Sequence, residues 1–466
     1  MPSRTAAPPA RATPTSTVVI ASIGVLMTAL DTLVVTTSLS VLRVSLHASL
    51  ASLEWTVNAY NLAFACLLLT GAALGDRFGR RRMFTIGVGV FTAASALSAL
   101  SPNVETLIAA RALQGAGAAI VMPLTLTLIT TAVPAERRGA AIGLWGGIQG
   151  LAVAAGPVVG GAIAGGISWH WIFWLNVPIG LALMPLAARG LDESFGPRPR
   201  LDLVGLALAA LAAFGITWAL VRADAAGWGS AEVLGSLIAG AALAGLFVEW
   251  ERRSPSPMLP LELFADRTFA SANAVSFFMY AALFGALFLM AQFFQVALGH
   301  SPLHAGLALL PWTGAPMIVA PVAGALSERY GNRPFMAGGL ALQTIGLVWI
   351  ALIAKPGMGY AEIGCSLLVA GIGISLCFPT VASAVMAAVP LEEAGIASGT
   401  NSMLRELGGV LGVAVLASVF ARPGVYGSPR VFIDGFTHAL WAGVGLSALG
   451  FAAALLVPGR TVTNVD

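Results

Sequence analysis

The sequence predicts an all-α polytopic membrane protein: two bundles of six transmembrane helices with two further helices inserted between them, fourteen spans in all. Three observations predict it. Of 466 residues, 58% are hydrophobic and only 10% charged, against about 25% charged in soluble proteins, and the mean hydropathy is +0.87. Fourteen apolar runs follow one another along the chain, each near the roughly 20 residues that cross a bilayer. Finally, Gly71-Ala-Ala-Leu-Gly-Asp-Arg-Phe-Gly-Arg80, followed by Arg81, has a counterpart in Gly324-Ala-Leu-Ser-Glu-Arg-Tyr-Gly-Asn-Arg333; Leu74–Arg81 and Leu326–Arg333 both read Leu-x-acid-Arg-aromatic-Gly-x-Arg. A soluble globular protein is excluded. So is nucleic-acid binding, because the pI near 9.0 comes from scattered arginines and not a basic stripe.

The runs are bounded by charge, proline or glycine. Before them, residues 1–16 are rich in Pro, Ala, Thr and Arg and read as a disordered tail. Spans 1–6 fall at 17–41, 52–75, 84–101, 104–130, 138–166 and 170–190, an N-terminal bundle over 17–190. Spans 7 and 8, at 203–222 and 232–250, belong to a linker over 191–265. Spans 9–14 fall at 268–298, 303–327, 334–354, 359–388, 395–421 and 434–457, a C-terminal bundle over 266–458, with a short tail at 459–466. The repeat sets this register: its copies follow spans 2 and 10, so spans 1–6 match spans 9–14 and spans 7 and 8 are the inserted pair. Two six-helix halves around a midplane site is a transporter architecture.

An even number of spans puts both termini on one side. With the N-terminus cytoplasmic, seventeen of the 24 basic residues fall on the cytoplasmic side and five on the other, the remaining two being Arg111 and Arg405 inside spans. That asymmetry places both termini inside. A cleavable signal peptide is not expected, since the first apolar run contains Asp31. Cys66, Cys365 and Cys377 all lie in apolar stretches, which supports neither a disulfide framework nor a metal cluster. The near-absence of lysine (Lys355 alone) points to a GC-rich bacterial genome.

Several stretches together resemble the major facilitator superfamily. Leu74-Gly-Asp-Arg-Phe-Gly-Arg-Arg81 is similar to its cytoplasmic signature, Arg111-Ala-Leu-Gln-Gly-Ala-Gly117 to its second signature, and Gly156-Pro-Val-Val-Gly-Gly161 to that of its antiporters. Leu30-Asp-Thr32, Trp169-His-Trp-Ile-Phe-Trp-Leu-Asn-Val-Pro-Ile-Gly180, Gly299-His-Ser-Pro-Leu-His-Ala-Gly306 with Leu309-Leu-Pro311, Gly395-Ile-Ala-Ser-Gly399 and Arg405-Glu-Leu-Gly-Gly409 resemble the branch of 14-span drug:proton antiporters. The resemblance covers nearly the whole chain and implies the major facilitator fold. Three departures stand out: Ala72 where a glycine is expected, His170 where arginine is usual, and Glu406 where glutamine is common.

Charges inside spans carry the chemistry. Asp31 lies mid-span, where a fixed charge costs at least about 2.5–3.5 kcal/mol. A carboxyl reduces that cost by taking a proton, which is also what a proton carrier does; the plainer reading is a packing hydrogen bond. Arg111 stays charged at any relevant pH, so it faces a cavity or a partner, and the resemblance assigns it to coupling; a structural brace is the alternative. Arg405 and Glu406 project about 100° apart on span 13 and need not pair, and Glu406 is the second candidate proton site. The resemblance gives Asp76, Arg77, Gly79, Arg80 and Arg81, with Glu328 and Arg329 in the second copy, a gating role: the acid would meet the positive N-terminal end of a helix in the other half. Gly156, Pro157, Gly160 and Gly161 combine close packing with an antiporter-like bend.

Asn58, Tyr60, Trp145, Gln149, Met279, Tyr280, Gln292, Gln295 and Trp312 are the candidate substrate contacts, a set that suits a flat amphipathic or cationic organic molecule. Pro302 between His300 and His304 argues for an external loop and against a helical metal pair, and Trp169, Trp171 and Trp174 read as an interfacial belt. No Walker A motif and no catalytic set is present, so neither an enzyme nor a cofactor is expected. The expected partners are a small organic substrate, protons and the lipid bilayer, with the chain a monomer in a bacterial plasma membrane. The implied function is proton-driven export by alternating access. The alternatives are an importer or facilitator on the same fold and a non-transporting sensor or scaffold.

Overall fold

The computed structural model describes residues 13–196, 201–390, 394–421 and 427–458. Fourteen helices among them are long and apolar enough to cross a membrane. We number them α1 (Pro14–Ser45), α2 (Leu50–Phe78), α3 (Arg80–Ala99), α4 (Val104–Ala132), α5 (Ala135–Gly166), α6 (His170–Trp174 and Asn176–Gly190), α7 (Leu203–Ala226), α8 (Ala231–Arg253), α9 (Arg267–Gln292), α10 (Pro302–Ala308, Leu310–Thr313 and Ala315–Tyr330), α11 (Asn332–Ile353), α12 (Tyr360–Ala387), α13 (Ala394–Phe420) and α14 (Pro429–Leu456).

Local chemistry explains the boundaries. Helix α1 begins inside the expected tail, because Thr13 and Ser16 form a reciprocal cap with Pro14 in the first turn. Residues 1–12 and the tail at 459–466 lie outside the described residues. Span 10 is not one helix but three pieces. Pro311 and Pro316 offer no N–H, and Gly314 between them lowers helix preference. Helix α9 ends in a π turn over Phe293–Ala297. His304 lies in the first short helix of α10, capped by Ser301, where a loop was expected.

The internal repeat is structural. Gly79 and Gly331 both adopt positive φ, +101° and +84°, and each turns the chain from one span directly into the next. The packing repeats as well: α1 on α5, α3 on α4 and α3 on α6 have counterparts in α9 on α13, α11 on α12 and α11 on α14. Between the halves, α2 packs on α13, and α5 packs on the short Pro302–Ala308 helix. The inserted pair docks through α7 onto α2 and α13, with Trp55 against Phe214 and Trp218 at 5.5 and 6.0 Å.

Two glycines make the α5–α10 contact possible. A Cβ on Gly161 would stand 2.6 Å from the carbonyl carbon of Pro302, and one on Gly306 would stand 2.6 Å from that of Pro157. Each glycine admits the backbone of the other half. Eleven residues, or about three turns, before Gly161, Gly150 shares its face of α5, yet a Cβ there would meet nothing within 4 Å. On α5 the halves therefore touch at the Trp169 end, whereas around Gly150 the same face meets nothing; α2 and α13 stay in contact as far as Leu69 beside Gly399. A second tie closes the Trp169 end: Gln295 Nε2 donates to Thr37 O at 2.9 Å and its Oε1 accepts from Ser40.

Candidate functional site

The N-terminal bundle encloses a polar cluster built from five helices. Asp31 of α1 pairs through Oδ2 with Arg111 Nη1 of α4, and both side chains are 1% exposed. Asp31 Oδ1 accepts two amide hydrogen bonds, from Gln114 Nε2 of α4 and Asn176 Nδ2 of α6, each at 2.8 Å. Gln114 Nε2 also donates to Ser95 Oγ of α3 at 2.7 Å, while Gln114 Oε1 accepts from Arg111 Nη1 at 2.8 Å. Arg111 donates from Nε to Thr56 O of α2 at 3.2 Å, and its guanidinium lies 4.3 Å from the Tyr60 ring and 5.8 Å from that of Phe173. A buried ion pair persists when its remaining donors and lone pairs are satisfied, and here Asp31 Oδ1 and the Nε and Nη1 of Arg111 have such partners.

The sequence exposes Asp31 and Arg111 because charge inside a span is rare. It does not single out Thr56, Ser95, Gln114 or Asn176. Gln114 and Asn176 do lie within the segments Arg111–Gly117 and Trp169–Gly180 that carry the family likeness, and that was the available signal. Asn176 is placed by a break in α6: it opens the second helical piece, with Pro178 in the first turn, where a missing N–H costs little.

In the C-terminal bundle, Arg405 and Glu406 do pair, Nη2 to Oε1 at 3.6 Å. The expectation that adjacent residues need not meet underestimates two long, flexible side chains enclosed in one apolar space. The Arg405 guanidinium lies 5.0 Å from the Tyr280 ring of α9 and 5.6 Å from that of Phe378 of α12. Tyr60, whose ring carries the Arg111 guanidinium, donates its hydroxyl to Thr28 O at 3.3 Å.

At the other end, Asp76 Oδ1 accepts from Arg80 Nη2 and Nε at 2.8 and 2.9 Å. Its backbone carbonyl accepts from Gly196 N at 3.1 Å. The expected partner was a helix end of the other half; here the acid is held by its own half, and residues 391–393 before α13 lie outside the described residues. Glu193, which sequence reasoning missed, accepts from Arg81 N at 2.9 Å, approaches Arg81 Nε at 3.6 Å and occupies the space beside Gly79. Arg77 and Arg329 lie against the rings of Phe78 and Tyr330 at 5.2 and 5.4 Å. The side chain of Glu328 is outside the described residues.

The glycine motif divides its contacts. Gly156 faces Leu33 and Gly160 faces Val34 and Thr37 of α1, whereas Gly161 and Pro157 meet α10. Among the candidate substrate contacts, Gln295 is spent on the inter-half tie, and Gln292 donates to Phe288 O of its own helix at 3.0 Å. Trp145 donates to Thr125 Oγ1 at 2.9 Å, Gln149 is half-buried, and the backbone carbonyl of buried Met279 accepts from Gln343. The Asn58 amide and the Trp312 indole N–H are buried without a hydrogen bond from the protein, at a cost of about 1–3 kcal/mol each.

Residues 21–413 match the Major Facilitator Superfamily. The chain is 35% identical over 407 residues to the multidrug resistance protein Stp of Mycobacterium tuberculosis (strain CDC 1551 / Oshkosh), covering 87% of this chain and 75% of that protein. It is 34% identical over 416 residues to the tetracenomycin C resistance and export protein of Streptomyces glaucescens, covering 88% and 77%. Its fold matches that of the xylose transporter XylE from E. coli with a TM-score of 0.65 at 15% identity, over 96% and 98% of the two chains. With fourteen apolar helices, a duplicated six-helix half and this match over most of its length, the chain is a multi-pass membrane protein that belongs to the major facilitator superfamily.

Proposed function

We propose that this protein is a secondary active exporter of organic compounds, drug- or antibiotic-like, driven by protons in the manner of the 14-span drug:proton antiporters. The observation that carries this reading is the buried Asp31–Arg111 pair, a neutralisable acid fastened to a permanent cation across two helices. The names of the relatives, which speak of multidrug resistance and of tetracenomycin C export, support efflux as the direction. In the proposed cycle a proton from outside reaches Asp31 in the outward-facing state and releases Arg111 as substrate leaves; the halves then rock, and the protonated carrier discharges its proton inside before new substrate binds. Glu406 and Arg405 form the facing pair, and Asn58, Tyr60, Tyr280 and Trp312 contribute polar and aromatic contacts to substrate.

The Asp76 end is cytoplasmic in this reading, in a bacterial plasma membrane, with both termini inside and the chain acting as a monomer. The closed Trp169 end and the parted α5 face around Gly150 then correspond to an inward-facing state. Asp76, Arg80, Arg81 and Glu193 form the gate that reorganises when the inner side closes.

Purified protein in proteoliposomes under an imposed pH gradient tests the function, with ethidium and a panel of antibiotics followed with and without a protonophore. Gradient-dependent movement that is lost in Asp31→Asn is the expected result. Wild-type coupling in that variant refutes the assignment.

A further inference from the structure

We propose that Gln114 and Asn176 are positioning residues that force the coupling proton onto one oxygen of Asp31, Oδ2, so that protonation and rupture of the Arg111 ion pair are a single event. This inference rests on the reading of Asp31 as the coupling acid. A carboxylate accepts hydrogen bonds on the lone pairs of either oxygen. Oδ1 already receives two N–H donors at 2.8 Å, one from α4 and one from α6, and so has no lone pair left for a proton. Oδ2 faces Arg111 Nη1.

The orientation of both amides follows from chemistry. Gln114 Oε1 accepts from the guanidinium, so its Nε2 is the atom turned to the carboxylate, and Ser95 holds it there at 2.7 Å. Asn176 faces an ionised oxygen and therefore presents its nitrogen. A proton from water then bonds to the second lone pair of Oδ2, the carboxylate becomes a neutral acid whose hydroxyl oxygen is a poor acceptor, and Nη1 leaves Oδ2 for that reason. The cation keeps Gln114 Oε1, Thr56 O and the Tyr60 ring, so it is released from α1 without losing every partner. Return of the proton to water restores the pair. Without the amides, Oδ1 takes the proton while Arg111 stays bound to Oδ2, and the proton no longer breaks the Asp31–Arg111 contact.

The test uses Asn176→Leu, Gln114→Leu and the amide-retaining Asn176→Gln, with Asp31→Asn as the spectral blank. Infrared difference spectra on acidification should show one carboxylic C=O band that is absent in Asp31→Asn. Loss of a donor in either Leu variant should move that band, because the proton then settles on Oδ1 and leaves Oδ2, beside Arg111, as the carbonyl oxygen, and Asn176→Gln should leave it near its wild-type place. In proteoliposomes each Leu variant should keep ethidium counterflow but lose gradient-driven accumulation by about tenfold, the worth of one hydrogen bond to a charged group, with recovery in Asn176→Gln.

A band unmoved in both Leu variants, or no Asp31 band at any pH, overturns the proposal. So does loss of counterflow and accumulation together without rescue, which is the mark of a merely structural role. Should Asn176→Leu fail to fold, Gln114→Leu carries the same readouts. A wild type that shifts its band normally but never accumulates ethidium under a gradient overturns the export reading and leaves the oxygen assignment standing.

Discussion

Asp31→Asn leaves Arg111 as a buried cation with no counter-charge, and this has a measurable consequence for stability. Both side chains are 1% exposed, and removing one partner of such a pair costs about 3–5 kcal/mol. The lower end applies here, because the guanidinium retains Gln114 Oε1 at 2.8 Å, Thr56 O at 3.2 Å and the Tyr60 ring at 4.3 Å. Arg111→Met leaves the opposite defect: a carboxylate with two amide donors but no cation. The double variant Asp31→Asn/Arg111→Met removes both charges, and no uncompensated buried charge is left to impose the desolvation cost of either single variant. Thermal unfolding of detergent-solubilised protein at a fixed scan rate should therefore rank both single variants well below wild type, with the double variant close to wild type. Transport should be lost in all three. Singles that melt with the wild type, or a double variant that melts below both, would refute the argument that the ion pair is held for function against a desolvation cost.

Three further outcomes follow from the geometry. Gly161→Ala places a methyl 2.6 Å from the Pro302 carbonyl carbon, so spin labels on α5 and the Pro302–Ala308 helix should show a longer separation by electron resonance; Gly166→Ala, where a Cβ meets nothing within 4 Å, is the control, and equal distances in the two contradict the seam. Asp76→Asn removes the charge from two hydrogen bonds to Arg80 and should slow turnover about tenfold, the worth of roughly 1.4 kcal/mol in a barrier, while substrate affinity changes little; weaker binding at normal turnover argues against a gate. Glu406→Gln should retain gradient-driven transport where Asp31→Asn loses it, and equal loss in both would make Glu406 an obligatory proton site.

How far the sequence reads depends on what each feature costs the chain. Spans are legible because a bilayer demands long apolar runs, and the duplication because Gly79 and Gly331 must both turn the backbone through positive φ. The break in α10 is written in Pro311, Gly314 and Pro316, although a hydropathy reading passes over it. Asp31 and Arg111 declare themselves because charge within a span is expensive. Gln114, Asn176, Ser95 and Thr56 do not, since neutral polar groups are tolerated at many helix positions and only the convergence of five helices gives these their task. Glu193 lies in a connecting segment where an acid is unremarkable, and only the space beside Gly79 gives it meaning. Gln295 is a candidate substrate contact by residue type, and only the π turn after α9 shows that it also reaches α1.

The two arginine–acid pairs are unequal partners in such a cycle, and the inequality follows from where each pair is anchored. Arg405 and Glu406 are neighbours on α13, so a proton on Glu406 changes a contact within one helix. Arg405 still joins α13 to α9 and α12 through the rings of Tyr280 and Phe378, contacts that do not depend on the charge of Glu406. Asp31 and Arg111 belong to different helices, and Asp31 also fastens α6 through Asn176. In the proposed cycle, neutralising Asp31 therefore breaks the Arg111 tie of α1, a helix that also lies, through Gly156 and Gly160, against the segment of α5 that seals the Trp169 end. Helix α1 carries the acid and touches the glycine motif and the Gln295 tie to the other half. A proton at Asp31 can thus alter the seam between the halves through one rigid element, whereas a proton at Glu406 has no comparable lever.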